Sequence, residues 1–211
     1  MAYTMNKDIP VEGNGSAFLD AGIHENIKLT DVKYDESRNG NKFIAFYFQD
    51  GNGNQVPKTE WEPKGEGEDL ERKQANVMQR LKHIAVNSGI LSEDEFQFSV
   101  DSFEELGKKV EELLKSKKDQ WDKNKLRIKV VYDNNNYTTL PRYTKFACLE
   151  NMNKIPSEQS KIKILPAIDK MKRDEADNEP QVNTNPFDNA QEQSDQQKSK
   201  DDEAHEANVP F

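Results

Sequence analysis

A single cysteine, Cys148, in a chain of 211 residues excludes an internal disulfide framework and any zinc site built on cysteine pairs. Buried free cysteine is common, so Cys148 reads as a small core residue. The three histidines, His24, His83 and His205, show no HExxH spacing, and no pair of carboxylates can be placed together by spacing alone. No catalytic residue, metal or cofactor is therefore expected. The Gly51/Gly53 and Gly65/Gly67 pairs lack the strand, glycine loop, helix and lysine order of a phosphate loop and read as turns. The N-terminal stretch MAYTMNKDIP has no apolar core of a signal peptide, and nowhere do about 18 apolar residues run together. The expectation is an intracellular, cytoplasmic protein with no membrane partner.

Apolar residues are also scarce, 33% against roughly 45 to 50% in ordinary globular chains. Part of the chain cannot build a core. Residues 174–211 carry 2 Lys+Arg and 11 Asp+Glu and so hold the whole net charge of -9, while residues 1–173 balance at 28 of each sign. With almost no aromatics and much Gln, Asn, Asp, Glu and Ser, residues from about 157 to 211 have the composition of a disordered acidic tail. IKILP at 162–166 is the one stretch there that could dock as a strand.

After a polar leader, residues 1–21, the segment GIHENIKLTDVKY has strand spacing in Ile23, Ile27, Leu29, Val32 and Tyr34, with a phase slip after Leu29 that suggests a bulge. Asn39-Gly40 is a hairpin signal of the type I′ kind, which needs positive φ at both residues. KFIAFYFQ is a strand apolar on both faces, Ile44, Phe46 and Phe48 on one and Phe43, Ala45 and Tyr47 on the other. Beyond DGNGN, QVPKTEWEP is a third strand, placed at an edge because Pro57 has no N–H.

The period then changes. GEGEDLERKQANVMQRLKHIAVNSG carries a helical stripe of Leu70, Val77, Met78, Leu81, Ile84 and Ala85, with Gly89 as its C′ residue. A second helix starts at a Ser102/Glu105 capping box and buries Phe103, Leu106, Val110, Leu113 and Leu114. KLRIKVVY returns to strict alternation, Leu126, Ile128, Val130 and Tyr132 against Lys125, Arg127, Lys129 and Val131. YTTL and the RYTKFACL segment follow. Three strands, a helical insertion and two more strands predict a mainly β, OB-fold-like five-stranded barrel over residues 22–156.

Two patterns point to nucleic acid. Phe43 and Tyr47 face away from the barrel filling on the second strand, where such folds stack bases on rings; the alternative is that the helices cover this face. Lys28, Lys33, Arg38 and Lys42 around the first hairpin, Lys58 on the third strand, and Lys125, Arg127 and Lys129 on the fourth would form a phosphate track, although a solvated outer face looks the same. Trp61, Tyr137 and Tyr143 are further stacking candidates or core residues.

The chain ends DDEAHEANVPF, with Asp201, Asp202 and Glu203 ahead of Val209, Pro210 and Phe211. This ending resembles the C-terminal tip of bacterial-type single-stranded DNA-binding proteins, and compact binders of this kind with acidic tails are common among bacteriophage replication proteins. The resemblance implies binding of single-stranded DNA without sequence preference during replication, recombination or repair. It also implies recruitment of partner enzymes through the tip, the terminal Phe entering an apolar pocket while the acids steer. A tail of this length reaches roughly 35 Å as a flexible coil, far enough to compete for the DNA face of its own body. The other readings of the same residues are a non-catalytic protein-interaction or virion-associated module, and a nucleic-acid-processing enzyme with carboxylates converging on a metal.

Overall fold

In the computed structural model, which describes residues 17–174, three hairpins turn on the same five-residue pattern. They join β1 (Gly22–Glu36) to β2 (Lys42–Gln49), β2 to β3 (Gln55–Trp61), and β4 (Leu126–Tyr132) to β5 (Thr138–Thr139). In each turn the first residue donates its N–H to the carbonyl of the fifth, and the fourth donates to the carbonyl of the first: Ser37/Gly40/Asn41, Asp50/Gly53/Asn54 and Asp133/Asn136/Tyr137. The fourth residue is left-handed every time, with φ of +73° at Gly40, +91° at Gly53 and +60° at Asn136. The first residue's side chain completes the turn by accepting backbone N–H groups, Ser37 Oγ from Asn41 and the Asp50 and Asp133 carboxylates from two each. The type I′ expectation at Asn39-Gly40 is therefore corrected, because only Gly40 has positive φ.

The strand β1 serves two neighbours. Its first part pairs with β4 through Gly22, Ile23, His24 and Ile27, and its second part pairs with β2 from Lys28 to Glu36. Register shifts mark both halves, one at the expected place after Leu29 and one between His24 and Ile27, where Asn26 adopts φ +59°. The resulting antiparallel sheet runs β3-β2-β1-β4-β5, and β6 (Leu149–Asn151), a strand the sequence pattern did not separate from RYTKFACL, joins the far edge of β4. The sheet is open rather than a closed barrel. No ladder joins β3 to β5; Thr139 Oγ1 donates to the Pro57 carbonyl at 3.2 Å instead, and Pro57 has no N–H with which to begin a ladder.

Helices α1 (Gly67–Asn87) and α2 (Phe103–Lys115) lie between β3 and β4, as the order of periodicities predicts, and a four-residue helix, α3 (Lys118–Trp121), follows them without a signal in that pattern. Ser102 Oγ accepts from the Glu105 N–H at 3.1 Å, while the Glu105 carboxylate reaches Asp101 N–H, one residue beyond the usual reciprocal bond. The α1 stripe buries Val77, Leu81, Ile84 and Ala85 but leaves Met78 exposed. Along β1, α2 covers the edge left open beyond β4: Glu111 accepts the Tyr34 N–H at 2.9 Å. Gly107 permits that approach, since any Cβ there would overlap the Tyr34 ring. Together the helices close over Val32, Ile44, Phe46, Phe48, Ile128 and Val130, all fully buried.

Two boundaries move relative to the composition. Residues 17–19 run beside the start of β3, with Leu19 donating to the Gln55 carbonyl at 2.9 Å and Gln55 donating to the Ala17 carbonyl at 2.8 Å, so the leader does not extend to residue 21. Residues 157–174 form a strap packed on β4 and β6, entered through a 3-10 turn at Ser157–Gln159 and anchored by buried Ile162 and Asp169. Its polar composition hides that role because its contacts are mostly hydrogen bonds. Among the described residues, no helix is long and apolar enough to cross a membrane.

Candidate nucleic-acid interface

The outer face of β2 departs from the expected open platform. Phe43 is 4% exposed, packed against Trp61 with ring centroids 5.1 Å apart, because antiparallel register sets these two directly opposite each other. Tyr47 is half-buried and lies across from Asp31 and Pro57. Between them Ala45 faces Lys33, which is ion-paired with Asp35. This face offers no adjacent pair of open rings.

The expected phosphate track is also redistributed. Arg127 and Lys129 do share a face of β4, but β6 and the strap cover it. Arg127 bonds to Glu25 at 2.8 Å, to Glu150 on β6 at 3.2 Å and to Ser157 at 2.6 Å. Lys129, wholly buried, donates to Asp169 at 2.8 Å and to the Lys163 carbonyl at 2.6 Å. Burial would raise the Asp169 carboxyl, yet Lys129, the Leu165 N–H and Tyr143 outweigh it and hold the group below the ordinary carboxylate value. Lys58 is sealed on β3, beside Glu60 and donating to the carbonyls of Leu140 and Pro141 at 3.0 and 3.2 Å. Lys42 pairs with Glu104 and Lys28 with Asp122. Lys125 alone of the β4 alternation is exposed, without a side-chain partner among the described residues.

The structure gathers open rings and open charge elsewhere, on the loop Arg142-Tyr143-Thr144-Lys145-Phe146 between β5 and β6. The two carbonyls held by Lys58 fix the loop's entry. Arg80 on α1 donates to the Arg142 carbonyl, Thr144 bonds Gln79 at 3.0 Å, and Tyr143 donates its hydroxyl to Asp169 at 2.7 Å. Burial, followed by that bond to Asp169, pushes the Tyr143 hydroxyl well above its ordinary pKa, so it stays a neutral donor. On this base stands Phe146, 40% exposed, edge-on to Tyr143 at 5.7 Å, with the Lys145 ammonium 5.8 Å from its ring centre. Neither Arg142 nor Lys145 has an ion-pair partner among the described residues.

Next to the loop lies a cleft of about 430 Å³ bounded by Tyr132, Asn134, Asn135, Arg142, Tyr143 and Ile168. Its two carboxylates are already engaged, Asp133 by its turn and Asp169 by Lys129 and Tyr143, whereas Arg142 is open and Arg173 lies 5.4 Å over the Tyr132 ring. At this rim Asp169 is balanced by Lys129, while Asp133 keeps its charge and shares the rim with the two cations Arg142 and Arg173.

Of the residues singled out in the sequence, Tyr143 belongs to this loop, and Trp61 lies half-buried in a neighbouring cleft that Arg142 also lines. Arg142, Lys145 and Phe146 were passed over, although the alternation of basic and aromatic residues in RYTKF was a readable signal. Asp201, Asp202, Glu203, Val209, Pro210 and Phe211 lie outside the described residues. Cys148 is buried, its Sγ 3.8 Å from His83 Nε2, and burial pushes its thiol up to about 11. Among the described residues no group of three or more His, Cys, Asp or Glu side chains is placed to hold a metal ion. The chain matches no protein-family model, and the comparison with curated proteins gives no match.

Proposed function

We propose that the protein binds single-stranded DNA without strong sequence preference, on the Arg142–Phe146 loop and the adjoining cleft, and recruits replication or repair proteins through its C-terminal tip. One observation carries the reading: an exposed ring, Phe146, braced edge-on by Tyr143, with the Lys145 ammonium 5.8 Å from its centre and Arg142 on the same loop, neither cation ion-paired among the described residues. A ring accepts any base face, and neighbouring cations follow the backbone, which is the physical basis of sequence-tolerant binding. The strand order supports an OB-like ancestry for the open sheet: β1 lies between β2 and β4, β5 comes beside β3, and the helices intervene between β3 and β4. Acidic composition beyond residue 174 agrees with a tail that steers partners and competes with DNA.

Fluorescence anisotropy of a labelled oligothymidylate tests it. Binding at low salt should weaken with a log-log slope of about -0.7 per phosphate contacted, and Arg142→Gln with Lys145→Gln should flatten that slope by about 1.4. Absence of binding at low salt would end the proposal. A second reading, a protein-interaction module, draws on the sealed Phe43 and the neutral outer face of β2. That outcome would leave the oligonucleotide unbound.

A further inference from the structure

The edge of β3 carries main-chain groups without partners among the described residues. Lys42 and Glu62 exchange a ladder bond, as do Asp50 and Asn54 at the other end of the hairpin, so the even-numbered residues Val56, Lys58 and Glu60 face β2. The N–H and C=O groups of Gln55, Pro57, Thr59 and Trp61 therefore point away from it. Residues 17–19 take both groups of Gln55, and Thr139 takes the carbonyl of Pro57. Beyond this point the edge diverges from β5. The N–H and C=O of Thr59 and Trp61 have no partner among the described residues, and Pro63, which has no N–H, limits the run.

These four groups border a cleft of about 310 Å³ between β3 and α1, lined by Thr59, Trp61, Pro63, Val77, Arg80 and Arg142, with Lys73, Glu60 and Glu62 completing its charged walls. Arg80 grips Glu60 through two bonds of 2.8 Å, with Lys58 behind it, and Lys73 is held by Asp69. Glu62 and the exposed Arg142 also line the cleft, and the lining as a whole leans positive by one cation. Trp61, Pro63 and Val77 supply an apolar wall.

We infer that the Thr59–Trp61 edge is a strand-addition site for an extended acidic segment of a partner protein, its backbone laddering with β3, its apolar side chains on Val77 and Trp61, and a carboxylate on Arg142. The same edge already accepts an added strand at Gln55, through the two bonds from residues 17–19. An isolated edge strand of this kind, left open between two prolines, fits a peptide of about five residues at one residue per 3.3 Å. The site is separate from the Phe146 platform and shares only Arg142 with it.

Amide hydrogen exchange on the full chain tests the inference, using as probe a blocked hexapeptide alternating Asp and Val. At saturation the Thr59 and Trp61 amides should exchange at least tenfold more slowly, while a Lys/Val hexapeptide should leave them unchanged. Thr59→Pro removes an N–H that faces away from β2, as Pro57 already lacks one, and should abolish peptide binding while oligothymidylate still binds the 142–146 loop. Arg142→Gln should weaken the peptide severalfold. Unslowed amides in the wild-type chain, equal slowing by the Lys/Val peptide, or slowing by oligothymidylate alone would each overturn it. So would amides already protected in the full chain and released by deleting residues 175–211, which would make the chain's own tail the occupant. Should Thr59→Pro fail to fold, the wild-type exchange data decide.

Discussion

Two sets of basic residues, one on β4 and one on the 142–146 loop, have opposite fates. On β4, Arg127 and Lys129 alternate cleanly and are buried, each matched to a carboxylate delivered by a later part of the chain. On the 142–146 loop, Arg142 and Lys145 look no different as residues and remain open. What separates them is the arrival of a partner: Glu150 stands opposite Arg127 in the β4–β6 register, and the strap brings Asp169 to Lys129. The buried cations are structural. Lys58 holds the carbonyls on which the loop begins, and Lys129 sits 5.0 Å over the Tyr143 ring that braces Phe146. The inner set holds in place the loop that displays the outer one.

The most severe way to break this division is Lys129→Ala. Removing one partner of a buried pair leaves the other charge uncompensated, at a cost of about 3 to 5 kcal/mol. Chemical denaturation should show that loss, with little residual folding cooperativity in the strap. Replacing both partners by apolar groups, Lys129→Met with Asp169→Leu, should recover only part of it: the pair's desolvation disappears along with its attraction, but the Tyr143 hydroxyl and the Leu165 N–H lose their acceptor and the Lys163 carbonyl its donor. Arg142→Gln, by contrast, should leave the denaturation midpoint within error, as exposed sites away from special features change stability little. Equal destabilisation by the two single variants would erase the distinction.

The strand order, the helical insertion and the β1 bulge were legible because each is written in local periodicity: alternation in KLRIKVVY, the stripe of Val77, Leu81 and Ile84, and the phase slip after Leu29. Hairpin positions were legible for the same reason, in SRNGN, DGNGN and DNNNY, although the turn type was not, since Asn39 can adopt either sign of φ. The site was much less legible. Alternation told correctly that Arg127 and Lys129 share a face, but whether water or a carboxylate meets that face depends on Asp169, forty residues on, in a segment too polar to look folded. Phe43 presented the same problem: its partner Trp61 follows from a pairing register, and register fixes neighbours without saying which of two apolar faces stays dry.

The next largest effect belongs to the outer cluster. Phe146→Ala removes the exposed ring and should cost about 1 to 3 kcal/mol of oligothymidylate binding, the usual worth of one base stacked on an aromatic side chain. Tyr47→Ala, on the neutral β2 face, should leave affinity unchanged. The reverse ranking would move the interface back to β2, and titrating both variants by anisotropy decides between the two faces.

Acid should affect the two clusters differently. Asp169 has a folded pKa below its unfolded value, so its contribution to stability is complete above the unfolded carboxylate range and is lost as pH falls through the lower, folded value. Below about pH 4 the strap's amides should therefore lose protection, relative to the unfolded chain at the same pH, before the core unfolds globally, because the bonds from Lys129, Leu165 and Tyr143 all converge on that carboxylate. The cations Arg142 and Lys145 make no ion pair among the described residues, so no comparable loss is expected of them over the same range. Hydrogen exchange at Leu165, followed from pH 6 to 3, reads the difference, and exchange that tracks global unfolding throughout would contradict it.

Cys148 gives the smallest and cleanest discrimination, because it lies in the field of two of the inner cations, Lys58 and Lys129, and beside His83. Positive neighbours favour a thiolate, while burial opposes it, and at this position burial is the larger influence: the thiol is pushed up to about 11. The cations are already engaged by Glu60 and Asp169, so little of their field is left for the sulfur. Native protein at pH 8 should accordingly react with iodoacetamide far more slowly than the unfolded chain, with a rate set by local opening. Lys129→Met with Asp169→Leu removes a cation and its matching anion together, and should leave that slow rate in place. Fast labelling of the native chain would mean that the inner cations stay electrostatically available, and the contrast with the outer loop would have to be redrawn in terms of access alone.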